Sequence, residues 1–120
     1  MHVVVGSASF DVSSRALVIG VLDPALAGDD LVAAAHRMVI AGADAIEVDG
    51  AGAVECVRAA VDVPVAAPGA VGSAITDDAA TMAVAIVGGA RLVRTKDIRT
   101  ARRVADVLAA VIDAAGTPAR

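Results

Sequence analysis

The chain has 120 residues, a net charge of −4 and 58% hydrophobic residues, with Phe10 as its one aromatic residue. This length fits a single domain, and the acidic total argues against general nucleic-acid binding. Because the core must be built from Ala, Val, Ile and Leu, which each bury little area, we expect an oligomer to cover part of the apolar surface.

The same sequence lacks the patterns of export and membrane insertion. The longest uncharged stretches, 63–76 and 79–90, are shorter than the roughly 20 residues of a spanning helix and contain Pro or Gly. No basic and apolar leader pattern opens the chain. Cys56 has no second cysteine to pair with, and we expect it to be a small buried residue. These features predict a cytoplasmic protein that contacts no membrane.

The N-terminal residues 1–15 predict a β-hairpin with strands at 2–9 and 10–14. Val3, Val4 and Val5 favour a strand, and Gly6 and Ser7 favour a turn.

Strand and helix patterns then alternate four times over residues 16–115. Each predicted strand is short and contains apolar residues, and each predicted helix carries an apolar stripe at helical spacing. In the last helix this inner stripe consists of Ile98, Ala101, Val104, Ala105, Leu108, Val111 and Ile112. The predicted strands are 16–22, 44–48, 63–67 and 91–95. The predicted helices run from Asp29 or Asp30 to 41, over 51–61, from Thr76, Asp77 or Asp78 to 87, and over 97–115, before a tail at 116–120.

This alternation predicts an α/β fold with parallel strands and right-handed crossovers. Four units are half of what a closed barrel needs. Either the strands form an open layered sheet, or two copies combine into an eight-stranded ring that removes the sheet edges. In both cases a ligand site would lie beyond the carboxyl ends of the strands, in loops 23–29, 49–53, 68–76 and 96–99.

Charged residues fall in or near these loops. Residues 1–90 hold three basic and eleven acidic side chains, and six basic residues then follow within 91–103. Arg94 and Lys96 lie two apart at a strand end and form a candidate anion site. Glu47 and Asp49 also lie two apart and are candidate substrate or metal carboxylates. The alternative for both groups is that Arg94 and Lys96 pair with Asp23, Glu47 or Asp49.

Other residues give weaker signals. His36 is expected on a helix surface, and the sequence has no zinc-binding spacing. Arg99, Arg102 and Arg103 are expected on the solvent face of the last helix.

Several segments resemble dihydropteroate synthase, the folate-pathway enzyme of the pterin-binding barrel group. At the front these are FDVSSRALVIGVLDPAL, AAAHRMVIAGADAIEVDG and VDVPVAAPG, which are similar to the family's hairpin and first three strands. At the back, AVAIVGGARLVRTKDIRTARRVADVL is similar to its final helix, strand and helix. The resemblance covers nearly all of this chain but about half of a family member. It implies a half-barrel that lacks the central units, with strand order 1-2-3 and strand 4 beside strand 1.

The resemblance also implies roles for individual residues. Arg94 matches the family's pyrophosphate-binding Arg, and Lys96 takes the place of the His beside it. Asp23 replaces an Asn of the same pocket, where it could neutralise Arg94 or hold a divalent cation such as Mg²⁺ with phosphate. Pro68 and Gly69 stand where the family has Asp-Thr. The remaining pterin-binding residues belong to strands that this sequence lacks.

Two functional hypotheses follow. The first is a non-catalytic relative of dihydropteroate synthase, acting as a homodimer or as the partner of a barrel-type protein, with a residual phosphate site. The second is an enzyme formed by the dimer, acting on a pterin-like or phosphorylated small molecule. The missing pterin-binding residues favour the first.

Overall fold

The computed structural model describes residues 2–5, 8–11, 16–68 and 75–116. Its strands are β1 (His2–Val5), β2 (Ala8–Asp11), β3 (Leu17–Val21), β4 (Ala45–Glu47), β5 (Val65–Ala66) and β6 (Leu92–Thr95). Its helices are α1 (Gly28–Ala41), α2 (Ala51–Ala60), α3 (Ala79–Val87) and α4 (Ile98–Gly116). Within these residues no helix is long and apolar enough to cross a membrane.

The central sheet has the order β5-β4-β3-β6, and every neighbouring pair is parallel. Each of these four strands is followed by a helix in the chain. Strands one to three are therefore adjacent in order and the fourth lies beside the first, which confirms the predicted α/β half-barrel. The register places Ile19 opposite Ala45 on one side and opposite Arg94 on the other.

The two faces of the sheet bury different sets of residues. On the helix-covered face, Val18, Ile46, Val65 and Val93 join one large apolar cluster with the helices. On the inner face, Ile19, Ala45 and Ala66 form a small second cluster with Leu92 packed against it. All three are 5% exposed or less within the single chain. These three residues are thus covered within one copy of the chain.

Gly20 allows two helices to approach the middle of β3. A Cβ atom at this position would lie 2.6 Å from Met38 Sδ and 3.1 Å from Ile98 Cδ1, closer than side chains normally pack. The absence of a side chain at Gly20 therefore lets α1 and α4 cover the same strand.

Several element boundaries differ from those predicted. Helix α1 begins at Gly28 after Ala27, and Asp29 and Asp30 lie in its first turn without capping it through a side chain. Asp78, one of three predicted caps, does cap α3 by accepting a hydrogen bond from the Thr81 N–H group. Strand β5 has only two residues rather than five. Gly116, predicted in the tail, ends α4.

Two residues that were predicted to be buried are exposed. Cys56 is exposed on α2, because the buried stripe of that helix passes through Val57 instead. Val111 was expected on the inner face of α4 but is 55% exposed, while Ile98, Ala101 and Ala105 are buried as predicted. Among residues 98–111 of α4, whose burial the structure describes, the buried ones all lie in the first half of the helix. His36 is exposed, as predicted.

The predicted N-terminal hairpin is present, since β1 and β2 pair antiparallel with Val5 opposite Ala8. Its strands are shorter than the predicted 2–9 and 10–14. The predicted turn at Gly6 and Ser7 and the predicted connection at 70–74 lie outside the described residues.

Candidate functional site

A cavity of about 340 Å³ opens at the carboxyl ends of the four parallel strands. We call it the mouth cavity. Residues from each strand end line it, among them Val21, Glu47, Asp49, Pro68, Arg94 and Lys96. Four of the five charged residues singled out in the sequence therefore meet in one cavity, as expected for parallel strands that end at the same edge. The fifth, Asp23, is not among the lining residues.

Arg94 and Glu47 form a bidentate ion pair inside this mouth. Arg94 Nε donates to Glu47 Oε1 at 2.8 Å, and Arg94 Nη2 donates to Glu47 Oε2 at 2.5 Å. The side chains are only 14% and 3% exposed. Two parallel hydrogen bonds are the geometry in which a guanidinium binds a carboxylate or a phosphate most specifically. The structural alternative, pairing of Arg94 with a nearby carboxylate, is thus confirmed, with Glu47 as the partner.

The remaining candidate residues lie around this pair. Lys96 and Asp49 are exposed at the rim. Asp23 is exposed too, and its Oδ1 atom accepts a hydrogen bond from the Ala25 N–H group, which shapes the loop after β3. Glu47 rather than Asp23 therefore neutralises Arg94. The mouth combines a buried ion pair with one exposed cation and one exposed carboxylate.

A carboxylate that the sequence did not single out holds the backbone of Lys96 in place. Asp77 Oδ1 accepts hydrogen bonds from the Lys96 N–H group at 2.8 Å and from the Thr95 hydroxyl at 2.9 Å. The Thr95 oxygen in turn accepts from the Asp97 N–H group. The Lys96 N–H bond, followed by the Thr95 hydroxyl, holds the pKa of Asp77 below its ordinary value. Asp77 thus ties the segment before α3 to the turn that carries Lys96.

Sequence reasoning assigned Asp77 only to helix capping. Its contact with Thr95 joins residues 18 positions apart, and no local pattern marks that pairing. The one signal that the sequence offers for this contact is Thr95, a polar residue at a predicted strand end next to the candidate binding residue Lys96.

The basic segment 91–103 divides into residues with different surroundings. Arg102 was expected to face solvent, but its side chain is 15% exposed. Arg102 Nη2 donates to Asp44 Oδ2 at 2.5 Å, and its Nε donates to the Gly42 carbonyl at 3.0 Å. Asp44 Oδ2 also accepts from the Val18 N–H group. Arg102 therefore fastens α4 to the opposite end of the sheet, away from the mouth.

The mouth does not form a metal centre of its own. Across residues 2–5, 8–11, 16–68 and 75–116, no three His, Cys, Asp or Glu side chains come together in a way that could hold a metal ion. Glu47 is engaged with Arg94, and Asp23 does not line the cavity. These residues do not fit a Mg²⁺ ion bound by protein ligands alone.

Comparison with known proteins gives solved structures of dihydropteroate synthases, the family that the sequence resembles. The chain is similar to the Yersinia pestis dihydropteroate synthase in complex with a sulfonamide drug, at 20% identity and a TM-score of 0.47, over 87% of this chain and 48% of that one. The same enzyme with a pterine-sulfa conjugate is 22% identical over 87% and 46% of the two chains, with a TM-score of 0.44.

A dihydropteroate synthetase with a bound product is 23% identical over 87% of this chain and 44% of that chain, with a TM-score of 0.42. The chain thus spans less than half the length of these proteins. No family model and no curated protein matches the sequence.

Proposed function

We propose that this chain is a non-catalytic binding subunit that takes a phosphate-bearing small molecule in the mouth cavity. The observation that supports this most directly is the placement of Lys96 next to Arg94 in a cavity at the strand carboxyl ends. Cations at that edge of a parallel sheet attract phosphate groups. The cavity volume is at the lower end of the range for small-molecule sites.

The Glu47–Arg94 ion pair sets the strength of this binding. Because Glu47 holds two donor atoms of Arg94, an incoming phosphate competes with a carboxylate that is already in place. Lys96 makes no ion pair within the described residues and supplies the attraction that remains. We therefore expect inorganic pyrophosphate to bind weakly, with a dissociation constant of roughly 1 mM.

A binding role is favoured over a catalytic role by the residues of the mouth. Glu47 is occupied by Arg94 and cannot act as a base until that ion pair opens. Pro68, at the end of β5, brings no titratable side chain to the position where the family resemblance implies an Asp. The mouth therefore offers Lys96 and Arg94 to an anion, and its remaining lining carboxylate, Asp49, is exposed at the rim rather than buried beside them. A magnesium ion would enter only as a complex with phosphate.

The proposal includes assembly with a second copy of the chain. Helix α3 carries no charged residue, yet only Met82 and Ile86 of it are buried. Val84 and Val87 of α3 and Val107 and Val111 of α4 are each more than half exposed, and α3 packs against α4. We infer that these four residues form one surface, and we call it the valine surface. An uncharged helix with apolar residues on its outer side is typical of a covered helix.

Isothermal titration calorimetry with inorganic pyrophosphate tests the binding role. Lys96→Ala should weaken binding by about tenfold, since it removes the cation that is not held in an ion pair. Arg91→Ala is the matched control, because it removes one exposed charge at the opposite end of β6 and should leave binding unchanged. Equal losses of affinity in both variants would reject the site. The site would also be rejected if the wild-type protein gave no measurable heat at pyrophosphate concentrations up to roughly 20 mM, which is 20-fold above the expected dissociation constant.

A further inference from the structure

A second cavity, of about 490 Å³, lies on the outer side of the sheet between α1 and the beginning of α4. We call it the α1–α4 groove. Arg37 from α1, Lys96 from the turn before α4 and Arg99 from the first turn of α4 line it, together with Asp97. Two of these cations come from the basic segment 91–103, and the third comes from a helix 59 positions earlier in the chain. The fold thus gathers three positive charges around one cavity in a protein of net charge −4.

The positive charge in this groove is largely uncompensated. Within the described residues, the side chains of Arg37 and Arg99 form no ion pair and no hydrogen bond. Asp97 is the one carboxylate among the lining residues, and its two oxygens accept hydrogen bonds from Thr100. By contrast, Arg94 and Arg102 of the same basic segment are each paired with a buried or half-buried carboxylate.

The rest of the groove is apolar. Ala34 and Ile98 are buried at its base, and Met38 is half-buried beside them. Ile40 also lines the groove and is 83% exposed. A volume of this size and a lining that combines apolar residues with a few charges are typical of small-molecule sites. The chemistry matches an anion attached to an apolar body.

We propose that the α1–α4 groove is a second binding site, for a small organic phosphate whose apolar body packs against Met38 and whose phosphate contacts Arg37 and Arg99. This site lies outside the mouth cavity and does not depend on the function proposed for it. Lys96 lines both cavities, so it is left out of the test.

Nuclear magnetic resonance of ¹³C-methyl methionine gives a local readout with phenyl phosphate as the probe. Met38 lines the groove, whereas Met82 of α3 is fully buried outside it and serves as an internal control. Phenyl phosphate should shift the Met38 methyl signal in a saturable way and leave Met82 unchanged. Inorganic phosphate should bind more weakly because it lacks the apolar body, and phenol should bind more weakly because it lacks the charge.

Paired charge variants test the contacts. Arg99→Ala and Arg37→Ala should each weaken phenyl phosphate binding by about three- to tenfold. Arg103→Ala is the matched control, since it removes an exposed charge from the same helix, outside the groove. An unchanged Met38 signal, equal losses in Arg99→Ala and Arg103→Ala, or equal affinity for phenol and phenyl phosphate would overturn the proposal.

Because Lys96 lines both cavities, a variant confined to the mouth is needed to separate the two proposed sites. The double variant Glu47→Gln with Arg94→Gln alters the mouth cavity and should leave the Met38 response to phenyl phosphate intact. Loss of that response in the folded double variant would place the probe in the mouth instead and overturn the groove site.

Discussion

Arg94 on β6 reaches across the intervening strand β3 and binds Glu47 on β4 with two hydrogen bonds. The pair closes the inner face of the sheet at its carboxyl end, next to the buried Ile19 and Ala45. Removing one charged partner of such a buried pair lowers the free energy of unfolding, because the remaining charge stays unpaired in a low-dielectric environment. The pair therefore contributes both to the stability of the sheet and to the charge of the mouth cavity.

Replacing Glu47 by Gln should separate these two roles. The variant should lose about 1–3 kcal/mol of the free energy of unfolding, because Arg94 loses a charged partner but keeps a polar one. It should also bind pyrophosphate more tightly than the wild-type protein, because the guanidinium no longer holds a carboxylate. Urea unfolding measures the first effect and calorimetry measures the second.

Asp44→Asn is the matched control for that variant. Asp44 accepts a hydrogen bond from Arg102 in the second half-buried ion pair, which lies away from the mouth. This change should cost a similar free energy of unfolding and leave pyrophosphate affinity unaltered. Weaker pyrophosphate binding in Glu47→Gln than in the wild-type protein would show that Arg94 is not a phosphate contact.

The sequence predicted the sheet well because its apolar runs and turn residues are local signals. Residues 16–22 are almost continuously apolar, and 44–48 combine three apolar residues with Asp44 and Glu47; the strands they predict lie in the middle of the sheet, as β3 and β4. Strand β5 was overestimated, because its backbone pairing with β4 extends only over Val65 and Ala66. The exposure of Cys56 and Val111 was missed, because the burial of a helix residue depends on tertiary packing, which the local sequence pattern does not specify.

The candidate site was predicted in part for the same reason. Parallel strands bring their carboxyl ends to one edge, so Glu47, Asp49, Arg94 and Lys96 could be placed together from their positions alone. The choice of Glu47 as the partner of Arg94 depends on register across β3, which the sequence does not specify. Arg102 and Asp77 were missed because their partners lie 58 and 18 positions away in the chain.

Asp77 should make the stability of the protein sensitive to acid. Its pKa in the folded protein is lowered by the Lys96 N–H group and the Thr95 hydroxyl, so its charged form stabilises the fold. This stabilisation is present above the ordinary pKa of Asp, about 4, and is lost as the pH falls through the lower pKa of the folded state. Asp77→Asn should therefore lower the melting temperature at pH 7 and have little effect near pH 2.

Thermal unfolding followed by circular dichroism between pH 2 and pH 7 measures this difference. Asp62→Asn is the control, since Asp62 is exposed and makes no hydrogen bond within the described residues. An electrostatic role for Asp77 would be contradicted if the difference in melting temperature between Asp77→Asn and the wild-type protein stayed constant with pH.

Self-association through the valine surface gives a separate prediction. Gel filtration with light scattering at micromolar concentration should give twice the mass of one chain. Val84→Lys combined with Val107→Lys should give the monomer mass, because two charges would be buried without partners in the interface. Ile40→Lys is the control, because Ile40 is even more exposed but lies outside the valine surface. A monomeric wild-type protein would exclude this assembly.

Gly20 provides a test of the packing that holds the half-barrel together. Valine is intrinsically better suited to a strand than glycine, so Gly20→Val should stabilise β3 if backbone preference decided the outcome. We expect the opposite, a loss of about 1–3 kcal/mol, because the added side chain would meet Met38 and Ile98 at contact distances already too short for a single Cβ atom. Gly52→Ala is the control, since no atom lies within 4 Å of the added Cβ there and the position is helical. That change should leave stability unchanged or raise it by up to about 1 kcal/mol. If urea unfolding showed Gly20→Val to be as stable as the wild-type protein, close packing of α1 and α4 on β3 would not be what requires glycine at this position.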